Sequence, residues 1–452
     1  MTTVRLLANC VVGLGFSRRG FEAGLAREPD LIGCDAGSAD FGPGFLGSGK
    51  DPKSPVSVKR DLSLMIEGAT RLGVPLVIGS CGGAGADPHL DGFRRIVAEI
   101  AKDAGRRLRV ALIHAELDKR TVADALEDGR IRPVGPARAL TPELVDGSSS
   151  IVGMMGAGPF MDALAAEPDV ILAGRCCDPA IYAGLPLSRG IDAGVSWHAG
   201  KSIDKGYLAT TKPQLGSPVL ASLDADGFTV EAMLQGSACT PDSVARITMH
   251  ENPDPFRIAQ PSGTLLVGGA RYTQQGDGVR VTGSKFEPAA RPSIKLEGAS
   301  RVGHRAVMIA GIRDPRLLAR FDDFLAEYRA LLKRVVASMG IEPGTWSVRM
   351  RPYGHGAVMG ALEPEPSAMP HEVGLVVDVV AATEAIAYAI ASRSAATGSR
   401  LDLTGRLGGG GNFAYPFSPN VLRGGEVYEW SVWHVMDVAD ERDPFRLELV
   451  EV

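Results

Sequence analysis

Long hydrophobic runs, cysteine and an excess of either charge are all scarce in this chain of 452 residues. A membrane-spanning helix needs roughly 18 uninterrupted apolar residues, and no window supplies them. The best candidate, Val373 to Ala391, contains Asp378 and Glu384. The opening Met1-Thr2-Thr3-Val4-Arg5-Leu6 runs straight into a strand-like stretch, without the basic, apolar and small-residue zones of a secretory signal. A cytoplasmic protein with no membrane partner is expected. The 6 cysteines (Cys10, Cys34, Cys81, Cys176, Cys177, Cys239) are too few for a disulfide framework and match no zinc template. They read as small core hydrophobes. With 48 basic and 53 acidic side chains the formal charge is −5 and no basic stripe stands out. That balance argues against nucleic acid as the partner.

Glycine, by contrast, is plentiful. It supplies 56 of the 452 residues, against a typical share of about 7%. It shows no three-residue period and sits inside apolar sequence, so the chain is neither collagen-like nor of low complexity. The surplus points to turns where the backbone comes close to something.

The first 190 residues alternate short apolar runs with amphipathic ones. Strands are expected at Arg5 to Cys10, Leu31 to Asp35, Leu76 to Ser80, Arg109 to His114, Ser150 to Met154 and Val170 to Ala173. Helical patterns lie between them: Ser17 to Arg27, Ser54 to Leu72, Leu90 to Ala104, Thr121 to Asp128 and Pro159 to Glu167. Crossovers of that length predict an α/β fold, doubly wound around a mostly parallel sheet. After about residue 211 the pattern becomes α+β. One hairpin is expected around Asp224-Ala225-Asp226-Gly227, and a second joins Leu265 to Tyr272 with Val279 to Thr282. A single long helix over 315–339 follows, with Asp314 as N-cap, Pro315 in the first turn and Gly340 as the stop. A strand-helix-strand tail completes the chain. Two domains, 1–210 and 211–452, are read from this change.

Three glycine-rich loops follow expected parallel strands, where open α/β sheets bind ligands. The first, Gly33 to Lys50, offers Asp35 and Asp40 for proton transfer or a divalent cation, Ser38 for hydrogen bonding and Lys50 for an anion. The second, Gly79 to His89, carries Ser80, Gly82 and Gly83 ahead of a helix, a ready anion cradle. The third, Gly174-Arg175-Cys176-Cys177-Asp178-Pro179, pairs an arginine suited to a carboxylate with a base at Asp178. A fourth run, Gly408-Gly409-Gly410-Gly411-Asn412-Phe413, is either a ligand-side or a surface loop. His304 and His355, each beside glycine, read as turn histidines open to general-base work. Gly13-Leu14-Gly15 with Asp35 about 20 residues on resembles a dinucleotide fingerprint, but the next glycine, Gly20, misses the spacing.

The Asp35-Ala36-Gly37-Ser38-Ala39-Asp40 loop with Gly42-Pro43, the Gly79-Ser80-Cys81-Gly82-Gly83-Ala84-Gly85-Ala86-Asp87 turn and Gly174-Arg175-Cys176-Cys177-Asp178 together resemble the acyclic terpene utilisation protein A family. Ile294-Lys295-Leu296-Glu297-Gly298-Ala299, Gly303-His304-Arg305 and Gly311-Ile312-Arg313-Asp314-Pro315 are similar to that family's later motif. The likeness covers residues 30 to 315, and Trp197-His198-Ala199-Gly200-Lys201 departs from the pattern of longer members. The resemblance implies catabolism of citronellol- and geraniol-like compounds, or of other carboxylic acids and CoA esters. It also implies a small partner subunit for some members; no fused copy of one is evident here.

The expected function is therefore a lyase, hydratase or isomerase acting on a small carboxylate or its CoA thioester, working as a homo-oligomer. Asp35, Asp40, Asp178 and His304 are the expected catalytic groups. Ser38, Lys50, Ser80, Gly82, Gly83 and Arg175 are the expected binding groups, and the metal is unassigned. An NAD(P)-dependent oxidoreductase and a non-catalytic metabolite-binding subunit are the competing classes.

Overall fold

The computed structural model describes residues 3–214, 216–403 and 411–452. Gly408, Gly409 and Gly410 of the fourth glycine run lie outside them. Two compact units result: residues 1–300 with 430–452, and residues 301–429.

Five parallel strands form the centre of the first unit: β1 (Val4–Val11), β2 (Leu31–Asp35), β3 (Leu76–Gly79), β4 (Arg109–Ile113) and β5 (Val170–Ala173). Their order across the sheet is β1-β2-β3-β5-β4, every neighbouring pair parallel. The strands are apolar on both faces, as parallel strands covered by helices must be. Val77, Ile171 and Ala173 enter one core, while Leu76, Ile78, Val170 and Leu172 enter another on the opposite face. Helices α1 (Pro55–Leu72) and α2 (Asp87–Asp103) cover the second core; α3 (Ala180–Ser188) and α4 (Ala193–Ile203) cover the first.

The sheet as a whole is mixed, because antiparallel strands extend both sides. Val219–Leu223 pairs antiparallel with β1, and Gly227–Ala232, Gly278–Thr282 and Arg271–Gln275 continue outward to make ten strands with Leu447–Glu451 on the far edge. The boundary read at 210/211 consequently falls inside the first unit: the hairpins there continue the parallel sheet instead of founding a new one.

Local signals are met in most places and overridden in four. Ser150–Met154 is a strand, but it pairs antiparallel with the start of Ser293–Ile312 and stays out of the parallel sheet. The second hairpin is shorter than expected, Arg271–Gln275 with Gly278–Thr282; Gly263–Leu266 instead joins a separate three-stranded sheet with Arg257–Gln260 and Lys285–Pro288. The helix expected over 315–339 is two, Pro315–Leu318 and Phe321–Ser338, with Arg320 leaving helical geometry between them. His304 is not on a turn. It lies within the 20-residue strand Ser293–Ile312, whose alternating Ala306, Met308, Ala310 and Ile312 bury one face.

In the second unit that strand's later half pairs with Val373–Ala381, which pairs in turn with Trp346–Tyr353. Phe321–Ser338 and Glu384–Arg400 supply the apolar face packed on it. Asp314 caps as expected, its side chain accepting from the Arg316 amide, with Pro315 in the first turn.

Candidate active site

Adjacent strands β3 and β5 send their chains to opposite faces of the sheet, β3 into α2 and β5 into α3. Such a switch point opens a crevice at the carboxyl ends of the strands. The three glycine-rich loops meet there, backbone against backbone. A Cβ on Gly37 would stand 2.1 Å from the Gly83 Cα, and one on Gly85 would stand 2.1 Å from the Arg175 nitrogen. The Arg175 amide donates to the Gly85 carbonyl at 3.1 Å. Glycine surplus and loop convergence have one cause: side chains would hold the loops apart.

The first testable consequence is structural. Gly85 has φ +70° and its missing Cβ faces rigid backbone, so Gly85→Ala combines strain with overpacking and is expected to cost about 2–5 kcal/mol. Gly92 lies inside α2 with nothing within 4 Å of its missing Cβ, so Gly92→Ala is expected to stabilise by about 0.5–1 kcal/mol. Urea unfolding of the two variants should give opposite signs.

Around the crevice stands a buried set of charges. Asp35, at the end of β2 and 3% exposed, accepts from the Gly37 amide through Oδ1 at 3.0 Å. Burial pushes its carboxyl up to about 6, against the Gly37 hydrogen bond and the pull of Lys53, Arg175 and Lys205. Asp178 is half-buried and forms no side-chain hydrogen bond among the described residues. Burial, then the neighbouring Asp35, raises it well above the carboxylate range. A carboxyl that is buried near a second carboxyl favours its neutral form.

The surrounding cations were mostly missed by sequence reasoning. The Lys53 ammonium, buried, donates to the Ala36 carbonyl and lies 5.6 Å over the Phe41 ring. Lys201 pairs with Asp204 at 3.5 Å, and Lys205 with Glu251 at 3.0 Å. Burial opposes the Lys205 charge, yet Asp178, Glu251 and Asp204 together raise its affinity for the proton. A lysine in a polar loop reads as solvated; only the i, i+3, i+4 spacing of Lys201, Asp204 and Lys205 at the end of α4 hinted at a shared face.

Arg175 takes a different part from the one expected. Its Nε and Nη2 donate to Glu297 at 2.9 and 3.3 Å, and its Nη1 to the Cys176 carbonyl at 3.2 Å and the Ser80 hydroxyl at 3.4 Å. Glu297, 1% exposed, also accepts from Lys295 at 2.8 Å, whose ammonium sits 3.4 Å over the Trp433 ring. Burial pushes the Glu297 carboxyl up, but Arg175 and Lys295 outweigh it and hold it below its usual range. The guanidinium fork is thus filled by the protein's own carboxylate.

The remaining expected residues divide. Ser80, at φ +48°, is a latch: its hydroxyl accepts from the Cys176 amide at 3.3 Å and bonds the Cys176 carbonyl. Gly82 and Gly83, both left-handed, shape the second loop, and the helix amides behind them are already used. The Asp87 amide donates to Glu116 at 2.9 Å and the Ala86 amide to the His89 ring at 3.2 Å. Ser38 accepts from the Asp40 amide at 3.2 Å, and Asp40 and Lys50 are exposed on the loop's outer side. His304 belongs to the second unit, half-buried, with its Nε2 3.5 Å from the Arg301 guanidinium.

The dinucleotide fingerprint loses its footing in the geometry. The Gly13 and Gly15 amides, where a pyrophosphate would sit, donate at 2.8 and 3.0 Å to Asp61, a buried carboxylate 2.7 Å from Arg60. The cysteines are all free thiols, and burial raises Cys34, Cys81, Cys176 and Cys177, the last to about 12, so none is a thiolate at neutral pH. Among the described residues no three His, Cys, Asp or Glu converge to hold a metal ion, which leaves the Asp35–Asp40 pair without a third ligand. No helix among them is long and apolar enough to cross a membrane.

A cavity of about 620 Å³ opens at the opposite edge, lined by Asp30, Pro75 and Asp169, which precede β2, β3 and β5. Three of its charged groups have partners: Arg189 pairs with Asp30 at 2.6 Å, and Asp169 accepts from the Arg109 amide. Volume and chemistry therefore sit at different edges, and the strand-end rule favours the chemistry.

Fold and site define a mixed α/β protein whose carboxyl-edge loops gather charged side chains, most of them buried. Residues 57–188 match the model of the acyclic terpene utilisation family protein AtuA, which supports an AtuA-like assignment. The matched segment carries the second and third loops. No curated protein and no solved structure matches the chain.

Proposed function

We propose that the chain is an enzyme that removes and returns a proton beside the acyl group of a small carboxylic acid or its CoA thioester, as a hydratase-type lyase or an isomerase does. The observation that carries this reading is the Asp35–Asp178 pair at the strand ends: burial raises Asp35, burial and the Asp35 carboxyl raise Asp178, and Lys205 acts on both. A carboxyl near pH 6 can take a proton and give it back, and nearby ammoniums favour the enolate formed when the proton leaves. Arg175 and Glu297 would hold the third loop in place, and substrate charge would fall to the lysines. The AtuA match supports a role in acyclic terpene utilisation or related organic-acid breakdown. The formal charge of −5 supports a small-molecule substrate over nucleic acid.

Proton removal leaves a signature whatever the final product. Short 3-hydroxy acids and their CoA thioesters, incubated with the protein in deuterated water, should gain deuterium at the carbon next to the acyl group. Asp178→Asn should slow this by about 10²–10⁴-fold, the usual contribution of a positioned acid–base group. No exchange on any member of such a panel would remove the reading.

A further inference from the structure

α3 buries one polar group that the cluster does not use. Tyr182 is fully buried, one helical turn after Asp178, and its ring lies flat on β2 at Gly33, where a Cβ would come within 2.3 Å of Cε1. A larger residue at 33 would expel the ring. The hydroxyl is sealed from solvent and has no hydrogen-bond partner among the described residues. Burial holds it as a neutral phenol, and Cys34, Asp204, Asp35 and Asp178 act on it electrostatically in the same direction. None of them takes its hydrogen. Asp35 Oδ1 accepts from Gly37, and Asp204 accepts from the Lys205 amide at 2.6 Å and from Lys201.

We infer that the Tyr182 hydroxyl donates a hydrogen bond to the acyl oxygen of the substrate, a carbonyl of a thioester or one oxygen of a carboxylate, held against Asp178 and Asp35. This rests on the acid–base reading above. A buried donor is nearly always satisfied, and a phenol beside proton-transferring carboxyls suits an oxygen that gains charge. In the step, the aspartate takes the proton from the adjacent carbon, and the C–H electron pair becomes the enolate double bond. The carbonyl π pair moves to the oxygen, and the Tyr182 O–H bonds to that oxygen without giving up its proton. Reversal returns a proton from the same carboxyl, after that carboxyl has exchanged with solvent, so no co-reactant is needed. The donor bond is stronger to the enolate than to the ground-state oxygen, which makes it an effect on rate more than on binding.

Tyr182→Phe tests this, with 3-hydroxybutyrate and 3-hydroxybutyryl-CoA as probes. Deuterium exchange next to the acyl group should fall about 100-fold, the usual loss of one oxyanion donor, while calorimetric affinity changes less than the rate. The melting temperature should stay at or above that of the wild type, because no internal hydrogen bond is broken. Whichever probe exchanges in the wild type identifies the source of the oxygen, free acid or thioester. Wild-type exchange rates in Tyr182→Phe would overturn the role of Tyr182 and leave the acid–base reading standing. A clearly lowered melting temperature would show that the hydroxyl is bonded within the fold, and also overturns it. Absence of exchange in the wild type on both probes overturns the inference together with the reading beneath it.

Discussion

Asp35→Asn is expected to lose catalysis and gain stability in the same variant. The carboxyl titrates near 6 in the fold against 3.8 for an ordinary aspartate. Its folded value is raised, so the neutral form is favoured by folding, and that advantage is complete below about pH 4 and lost as pH rises through about 6. A shift of roughly two units corresponds to about 3 kcal/mol carried as a penalty by the wild type above pH 7. This is a net cost: attraction to Lys53, Arg175 and Lys205 already offsets part of the burial. Asparagine does not titrate, keeps an oxygen for the Gly37 amide and is nearly isosteric. Thermal melts should therefore coincide for the two proteins near pH 4 and separate progressively to about pH 8, the variant being higher. Deuterium exchange should fall by about 10²–10⁴-fold at neutral pH. Equal melting at every pH would show that Asp35 ionises freely, and the acid–base reading would lose its first support.

Removing Glu297 should have the largest structural effect. Its carboxylate is the shared partner of Arg175 and Lys295, and Arg175 is only 6% exposed. Glu297→Ala leaves a guanidinium out of water without its hydrogen-bonded counter-charge, a situation that costs about 3–5 kcal/mol. Replacing both members, Arg175→Met with Glu297→Leu, removes the stranded charge and should cost less than Glu297→Ala alone. Urea denaturation of the single and double variants reads this directly. A loss under about 1 kcal/mol for Glu297→Ala would mean that the pair is solvated and that Arg175 is free for substrate.

Reading the sequence forward went furthest where a signal was local. Leu31–Asp35 and Val170–Ala173 are bounded as their apolar runs suggested, and Asp314-Pro315 starts a helix as its side chains dictate. It failed where partners decide. Nothing in Ser150–Met154 tells a parallel strand from one that pairs antiparallel with residues nearly 150 positions later. At the site, Asp35, Asp178 and the three loops were legible because glycine and acid at strand ends carry their meaning locally. Lys53, Lys205, Tyr182 and Glu297 were not, since an isolated lysine, tyrosine or glutamate has the same pattern whether it is buried among charges or faces water.

The sequence by itself determined the strands and their helices, the three loops after strand ends, and the absence of long apolar runs, all properties of short windows read through period and turn chemistry. Tertiary structure alone decided that hairpins after residue 211 extend the first sheet, that Arg175 spends its fork on Glu297, and that burial and the Asp35 carboxyl raise Asp178. The physical reason is burial. Desolvation and charge pairing act between residues far apart in the chain, so their sign is fixed only when the fold has chosen the neighbours.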